Sequence, residues 1–327
     1  MSPLRRSRDG TVDPSHRHYS RIDLYIIGMK TETTPPDSIK LLVIDIDGTL
    51  LNPDGKITAR TLAAVRAAQE AGIVVTLATA RRYCNTVQVA QELDIECPLI
   101  VYDGALIKGY PLASILYSNP LQADVAQQAV ELLVRHQLQP VVHPTTGPQE
   151  EIWTGSPDLD NLWLNAYFTF YPDQVRRMPY AKLCAGHPSP LRVVAFDSEE
   201  HILRLSPELD SLDCSWITIN RGSFGCAEIA FMERDCSKAS GVATLARLLD
   251  IPLQQVMALG DNLNDMQMLQ VVGWGVAMGQ APDRVKAVAQ AITANNAEDG
   301  AAQAIERYAL RRAARIASNS LKRTICL

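Results

Sequence analysis

Leu41-Leu42-Val43-Ile44-Asp45-Ile46-Asp47-Gly48-Thr49-Leu50 is the stretch on which the fold turns. Its apolar opening, Leu41 to Ile44, reads as a strand buried on both faces in a parallel sheet. Asp45 and Asp47 are two positions apart and would share a face if the strand continued, but Gly48 signals that the chain is already turning out of the sheet. Carboxylates buried at a strand end are costly unless something compensates them. A hard divalent cation, which takes oxygen ligands, is the most direct compensation.

Working outward, 327 residues suit about two domains, and 47% hydrophobic with 20% charged residues is an ordinary globular composition. A net charge of −5 argues against a general nucleic-acid binder, whose surface needs a basic excess. No apolar run approaches the ~20 residues that cross a bilayer, so no membrane partner is expected. The seven cysteines (Cys84, Cys97, Cys184, Cys214, Cys226, Cys236 and Cys326) never form a C-x-x-C pair, which favours free thiols and a cytoplasmic location. His16 and His18 lie close together in a polar segment without other ligand candidates and read as solvated.

Residues 1–38 carry little apolar periodicity and read as a disordered leader, with Met29 a candidate native start. Beyond the opening strand, a helix capped by Thr58 and stopped at Gly72 precedes a second strand over 73–78. A helix from Val87 to Leu93 and a third strand over 98–102 follow. Strand and helix in this alternation imply right-handed crossovers and a parallel sheet. The rhythm breaks near Asn119-Pro120 and resumes at about residue 230, with a helix from Lys238 to Leu249 and a strand over 255–259. The expected fold class is therefore α/β: a Rossmann-like parallel-sheet core over 39–119 and 230–310, interrupted by an inserted α+β module over 120–229. Residues 311–327 read as a fraying or solvated tail.

Ligands of open parallel sheets bind outside the carboxyl ends of the strands. Polar residues gather there: Asp45 and Asp47, then Thr79 and Arg81, then Asp103, then Asp261, Asn264 and Asp265. Each has an ordinary reading alone, Thr79 and Asp265 as helix caps and Asp103 as a turn residue. Coincidence fails to explain the set. Asp45, Asp47 and Asp261 would make an acidic cluster suited to Mg²⁺, which leaves positions open for water and a phosphate. Lys238 opens a helix, where its charge opposes the macrodipole by a few tenths to about 1 kcal/mol. It is well placed there only if it faces carboxylates or a phosphate.

In this order, Asp45-Ile46-Asp47-Gly48-Thr49-Leu50, Thr79, Lys238 and Gly260-Asp261-Asn262-Leu263-Asn264-Asp265 resemble the four motifs of the haloacid dehalogenase-like (HAD) hydrolases. The insertion after the second motif, with Gly275-Val276-Ala277-Met278-Gly279 and Ala297-Glu298-Asp299-Gly300, resembles the Cof-type subfamily of sugar and small phosphoester phosphatases. The resemblance runs from about residue 40 to residue 308. It implies a HAD core with the insert as a cap, Mg²⁺ as cofactor, a small phosphorylated metabolite as partner, and a monomer or homodimer. Asp45 would be the nucleophile and Asp47 the general acid and base. Thr79 and Lys238 would stabilise the phosphoryl group, with Arg81 and Asn264 also toward substrate. The Asp45 carboxylate, the Asp47 carbonyl and Asp261 would hold the metal, with Asp265 behind them.

Three departures stand out: Thr79-Ala80-Arg81 lacks the usual central glycine, Tyr102-Asp103-Gly104-Ala105 replaces Asn-Gly-Ala, and Met278-Gly279-Gln280-Ala281 has Gln for Asn. They bear on substrate preference. A phosphomutase or a phosphatase dedicated to one metabolite, such as sucrose phosphate, shares this set of residues, and a non-catalytic binder would not need both Asp45 and Asp47. In the insert, His143, Asn161, Asn165 and Lys182 are the candidates for selecting substrate.

Overall fold

The computed structural model describes residues 36, 38–145, 150–219 and 225–310. The proposed leader with Met29, and the tail beyond 310, lie outside them. The strands are β1 (Leu41–Ile44), β2 (Val74–Leu77), β3 (Leu99–Val101), β4 (Leu106–Lys108), β5 (Ile115–Ser118), β6 (Val141–His143) and β7 (Ile152–Thr154). They continue with β8 (Val175–Arg177), β9 (Arg192–Asp197), β10 (Ser215–Ile219), β11 (Ala227–Met232), β12 (Val256–Gly260), β13 (Trp274–Ala277) and β14 (Ala291–Ile292).

β1 lies between β12 and β2 in a five-stranded parallel sheet of order β14-β13-β12-β1-β2. All four of its residues are buried, as expected of a strand covered on both faces. The chain leaves β1 toward β2 on one side and returns to β12 on the other, so β1 and β12 flank the point where strand order reverses. Ile44 pairs with both Leu77 and Leu259, so the three strands finish level. Asp45, Thr79 and Asp261 therefore emerge at one height. Thr58 caps the helix Ala59–Glu70 by accepting from the Thr61 amide, and Ser237 and Ser240 cap the helix Lys238–Leu248 reciprocally.

The third strand departs from the expected single parallel sheet. Ala78 meets Ile100 through a parallel bridge, but β3 belongs to a separate antiparallel sheet of order β3-β4-β5. The hairpin strands β4 and β5 carry no strong alternation, and the sequence reading missed them.

A third sheet of six strands, order β10-β11-β9-β6-β7-β8, is built between Val141 and Met232. It is antiparallel except for β7 with β8. Alternation along β9 sends Val193 and Ala195 to one apolar cluster, with helix Ala123–Arg135. Val194 and Phe196 go to another, with helix Leu162–Thr169. The second face looks onto the strand ends of the parallel sheet. The six described cysteines are free, and no helix of the described residues is long and apolar enough to cross a membrane.

Candidate active site

Asp45 follows β1 directly, its amide donating to Leu259 O at 3.1 Å. Its carboxylate is buried, and Lys238 Nζ donates to its Oδ1 at 2.6 Å and to Asp265 Oδ1 at 2.7 Å. Asp265 Oδ2 in turn accepts from the amides of Asp261 and Asn262, both at 3.0 Å. Asp265 is therefore a strut under the loop. Its side chain does not cap the helix Met266–Val271, which corrects the cap reading; Asn262 caps the preceding turn instead.

Asp261 receives Thr49 Oγ1 at 3.2 Å. Gly48 has φ +81°, and a Cβ there would lie 2.4 Å from Asp261 Oδ2. Glycine is thus required twice over, for the left-handed turn and for the approach to a carboxylate. Gln280 ties the two loops, donating Nε2 to Gly48 O at 2.5 Å. The Gln-for-Asn departure therefore supports the first loop rather than the substrate pocket.

Asp45, Asp261 and Asp265 can each bring one oxygen within 4.8 Å of the others. Burial raises the Asp45 carboxyl well above its ordinary value, Lys238 opposing and the two other aspartates reinforcing the rise. Burial, then Asp265, pushes Asp261 up to about 7. Burial also disfavours the Lys238 ammonium, but Asp265 and Asp45 outweigh it and hold its pKa above the ordinary lysine value. Three ionised carboxylates against one ammonium leave two negative charges in a buried site. An oxygen-liganded divalent cation fits this donor set.

Asp47 points elsewhere. Its carboxylate is 44% exposed and takes two hydrogen bonds from Arg81, Nε to Oδ2 at 2.7 Å and Nη2 to Oδ1 at 2.6 Å. It stands outside the acidic cluster. Thr79 is buried, and its Oγ1 accepts from the Arg81 amide at 3.1 Å. Asn264 Nδ2 donates to Asp103 Oδ1 at 2.9 Å, so its amide group is turned to Asp103.

Asp45, Asp47, Thr79, Arg81, Lys238, Asp261 and Asn264 all line one cavity of about 340 Å³. Its opposite wall comes from the inserted segment: Tyr167, Arg192, Phe196, Ile219 and Glu228. None of the four candidates named there from sequence lines it. His143 is buried behind Arg192, Asn161 caps its own helix, and Asn165 and Lys182 are exposed. Polar type alone drew attention to them. Arg192 and Phe196 share one face of β9 and Glu228 lies opposite Phe196 on β11, a relation visible only once strands are paired.

Two contacts join the layers. Asp103, at φ +53°, is fully buried and meets Arg192 Nη1 at 3.2 Å. A non-glycine residue in this region is strained, and Arg192 and Asn264 hold it there. The sequence showed Asp103 as an added charge; its counter-ion lies 89 positions away. Glu150 accepts from the amides of Tyr83 and Cys84 at 3.1 and 2.8 Å and from Tyr102 OH at 2.9 Å. It thereby caps the helix Tyr83–Glu92, whose own N-cap residue, Arg82, makes no side-chain capping bond. Arg82 reaches back to Glu150 O and to Gln174 Oε1.

Residues 42–305 match the haloacid dehalogenase-like hydrolase family. The chain is a haloacid dehalogenase-like hydrolase. Among its relatives, 5-amino-6-(5-phospho-D-ribitylamino)uracil phosphatase YcsE of Bacillus subtilis is 29% identical, over 83% of this chain and 96% of that one. Pyridoxal phosphate phosphatase YbhA of Escherichia coli is 25% identical, over 81% and 97%. A solved haloacid dehalogenase-like hydrolase from Bacteroides thetaiotaomicron superposes with TM-score 0.67 at 25% identity, covering 83% of this chain and 99% of its own. In this hydrolase the parallel sheet and the α/β class agree with the sequence reading.

Proposed function

We propose that this hydrolase is a Mg²⁺-dependent phosphatase of small phosphomonoesters, sugar phosphates above all, working through an aspartyl-phosphate on Asp45. The observation that carries the reading is the convergence of Asp45, Lys238, Asp265 and Asp261 on one point at the strand ends. Relatives named as phosphatases of a ribitylaminouracil phosphate and of pyridoxal phosphate support the reaction class. The segment over 120–229 is the cap in this reading, and its β9 and β11 face the leaving group.

Lys238 engages Asp45 Oδ1, fixing the carboxylate so that Oδ2 attacks phosphorus as the ester P–O bond breaks. Asp47 donates its proton to the departing alkoxide, then takes one from the water that attacks the aspartyl-phosphate; orthophosphate leaves and Asp45 is restored. Thr79 and the Lys238 ammonium stabilise the phosphoryl oxygens. Asp45, Asp261 and the Asp47 carbonyl would hold Mg²⁺, which supplies charge neutralisation at the phosphoryl group. Arg81 orients Asp47 through its paired hydrogen bonds and must yield for Asp47 to carry a proton.

The purified protein with Mg²⁺ is expected to release phosphate from a generic aryl phosphate, to lose that activity in EDTA and to regain it on Mg²⁺ addition. No release from the aryl ester or from a panel of phosphorylated metabolites would sink the proposal. Asp47→Asn should lower kcat roughly 10²- to 10⁴-fold, the range for loss of a general acid and base. Because Asp47 is half-exposed, its melting temperature should stay near that of the parent. Undiminished turnover in this variant would reject the assigned proton transfers.

A further inference from the structure

We propose that Arg82 is a second anion site of the catalytic cavity, taking a carboxylate or a further phosphate that the substrate carries beyond the ester being cleaved. The proposal rests on the phosphatase reading above. It adds a class of substrate, phosphomonoesters bearing a second acidic group, and the residue that holds that group.

Four cations line the cavity: Arg81, Arg82, Arg192 and Lys238. Three of them face carboxylates directly. Arg81 holds Asp47 through two hydrogen bonds, Arg192 Nη1 meets Asp103 at 3.2 Å, and Lys238 bridges Asp45 and Asp265. Arg82 is the exception. It is 2% exposed, its Nε and Nη1 have no hydrogen-bond partner, and among the described residues no carboxylate forms an ion pair with it.

The rest of the side chain is fixed. Nη2 donates to Glu150 O and, at 2.6 Å, to Gln174 Oε1, and the guanidinium lies over the Tyr171 ring at 4.6 Å. Those bonds use both Nη2 hydrogens, so the one N–H of Nε and the two of Nη1 are left over. The Glu150 carboxylate is felt at Arg82, but its oxygens accept from the Tyr83 and Cys84 amides and from Tyr102 OH. The Tyr102 and Tyr167 hydroxyls and the Cys84 thiol, also close to Arg82, are neutral at neutral pH, because burial raises each of them. Arginine cannot shed its proton to escape burial, and a buried ion without a counter-charge is costly. An anionic group on a bound ligand supplies the acceptor and the counter-charge together.

Position says which part of a ligand it meets. Arg81 and Arg82 are adjacent, and the backbone at Arg82 is extended, with φ −69° and ψ 156°. Successive side chains of extended backbone diverge. Arg81 turns to Asp47, the group that protonates the leaving oxygen, and Arg82 turns under the inserted segment, to Glu150, Gln174 and Tyr171. A substrate whose ester oxygen lies at Asp47 can extend past Arg81 and reach Arg82 within the one cavity of about 340 Å³. Glu228 on the opposite wall stands 3.7 Å from Arg192, so its charge is met there. A neutral hydroxyl at Arg82 would accept a hydrogen bond and leave the charge uncompensated; a carboxylate or phosphate answers both.

The test compares ligands that differ in the second acid. In an Asp45→Asn background with Mg²⁺, calorimetry gives the affinity for 3-phosphoglycerate against glycerol 3-phosphate, where a hydroxymethyl group stands in for the carboxylate. A hexose 1,6-bisphosphate against a hexose 6-phosphate makes the second pair. With Arg82 present, the acidic member of at least one pair should bind roughly tenfold or more tightly, the scale of a hydrogen bond to a charged group. The pair that shows it says whether a carboxylate or a phosphate sits there. Arg82→Met should erase that preference and leave the neutral member's affinity close to unchanged, and Arg82→Lys should keep part of it. Equal affinities within both pairs would overturn the proposal. So would a preference that survives Arg82→Met, or a loss shared equally by acidic and neutral ligands, which is what a purely structural arginine gives. Should Arg82→Met unfold, Arg82→Lys decides alone, a reduced preference supporting the proposal and an unchanged one overturning it. Phenyl phosphate has no second acid, so its hydrolysis with Asp45 in place reports the phosphatase reading independently. Hydrolysis without an Arg82-dependent preference fails this inference alone, and the preference without hydrolysis fails that reading alone.

Discussion

Asp45→Asn is expected to lower kcat by roughly 10⁴- to 10⁶-fold, the scale on which removing a covalent nucleophile acts. The amide has the shape of the carboxylate, so the cavity keeps its form. It still offers an oxygen to Lys238, whose other contact, Asp265 at 2.7 Å, is untouched. What disappears is the electron pair that attacks phosphorus. The same substitution should leave the fold as stable as the parent or more so. Burial is the largest influence on Asp45 and opposes its ionised form, so removing that charge relieves a cost. Single-turnover and steady-state assays beside a thermal melt would check both halves. Near-normal turnover would mean that another group attacks; a melt lowered by ten degrees or more would mean that the loss reports unfolding.

The contrast between the two strand-end aspartates shows how far local sequence reaches. The four buried residues of β1, the glycine at the turn and the Thr58 cap all follow from short-range rules: burial pattern, φ and one side-chain hydrogen bond. Lys238 was also legible, because a cation at a helix start is misplaced unless carboxylates face it, and Asp45 and Asp265 do. The opposite wall was not. Arg192, Phe196 and Glu228 are unremarkable in their own stretches, and only the pairing of Phe196 with Glu228 sets them side by side. Asp103 shows both cases at once. Its charge was visible, but its counter-ion comes from β9 and its partner Asn264 lies 161 positions on. Pairings of that range are decided by topology, and β3 leaving the parallel sheet for a hairpin with β4 illustrates how a strand can be read correctly and its partner missed.

Lys238→Met should damage stability and turnover together, and the two losses can be separated. Methionine nearly matches the lysine in volume, so packing is kept and the ammonium alone is lost. Asp45 and Asp265 are then left buried, 6% and 0% exposed, without their shared cation. Breaking a buried pair this way costs about 3–5 kcal/mol. Turnover should fall by about 10²- to 10³-fold, as when one preorganised electrostatic partner of a transition state is removed. The pH dependence follows from the sign of the carboxyl shift. A carboxyl raised in the folded state destabilises the fold where it is ionised and ceases to do so once protonated. Asp45 is already raised with Lys238 present and must rise further without it. The stability gap between parent and variant should therefore narrow as pH falls from 8 toward 5, in denaturant melts at fixed ionic strength. Adding Asp265→Asn removes one of the two stranded charges, so the double variant should regain much of the lost stability and none of the lost turnover. A double variant as unstable as Lys238→Met would show that the lysine acts through packing, and a pH-independent gap would say the same of the carboxylates.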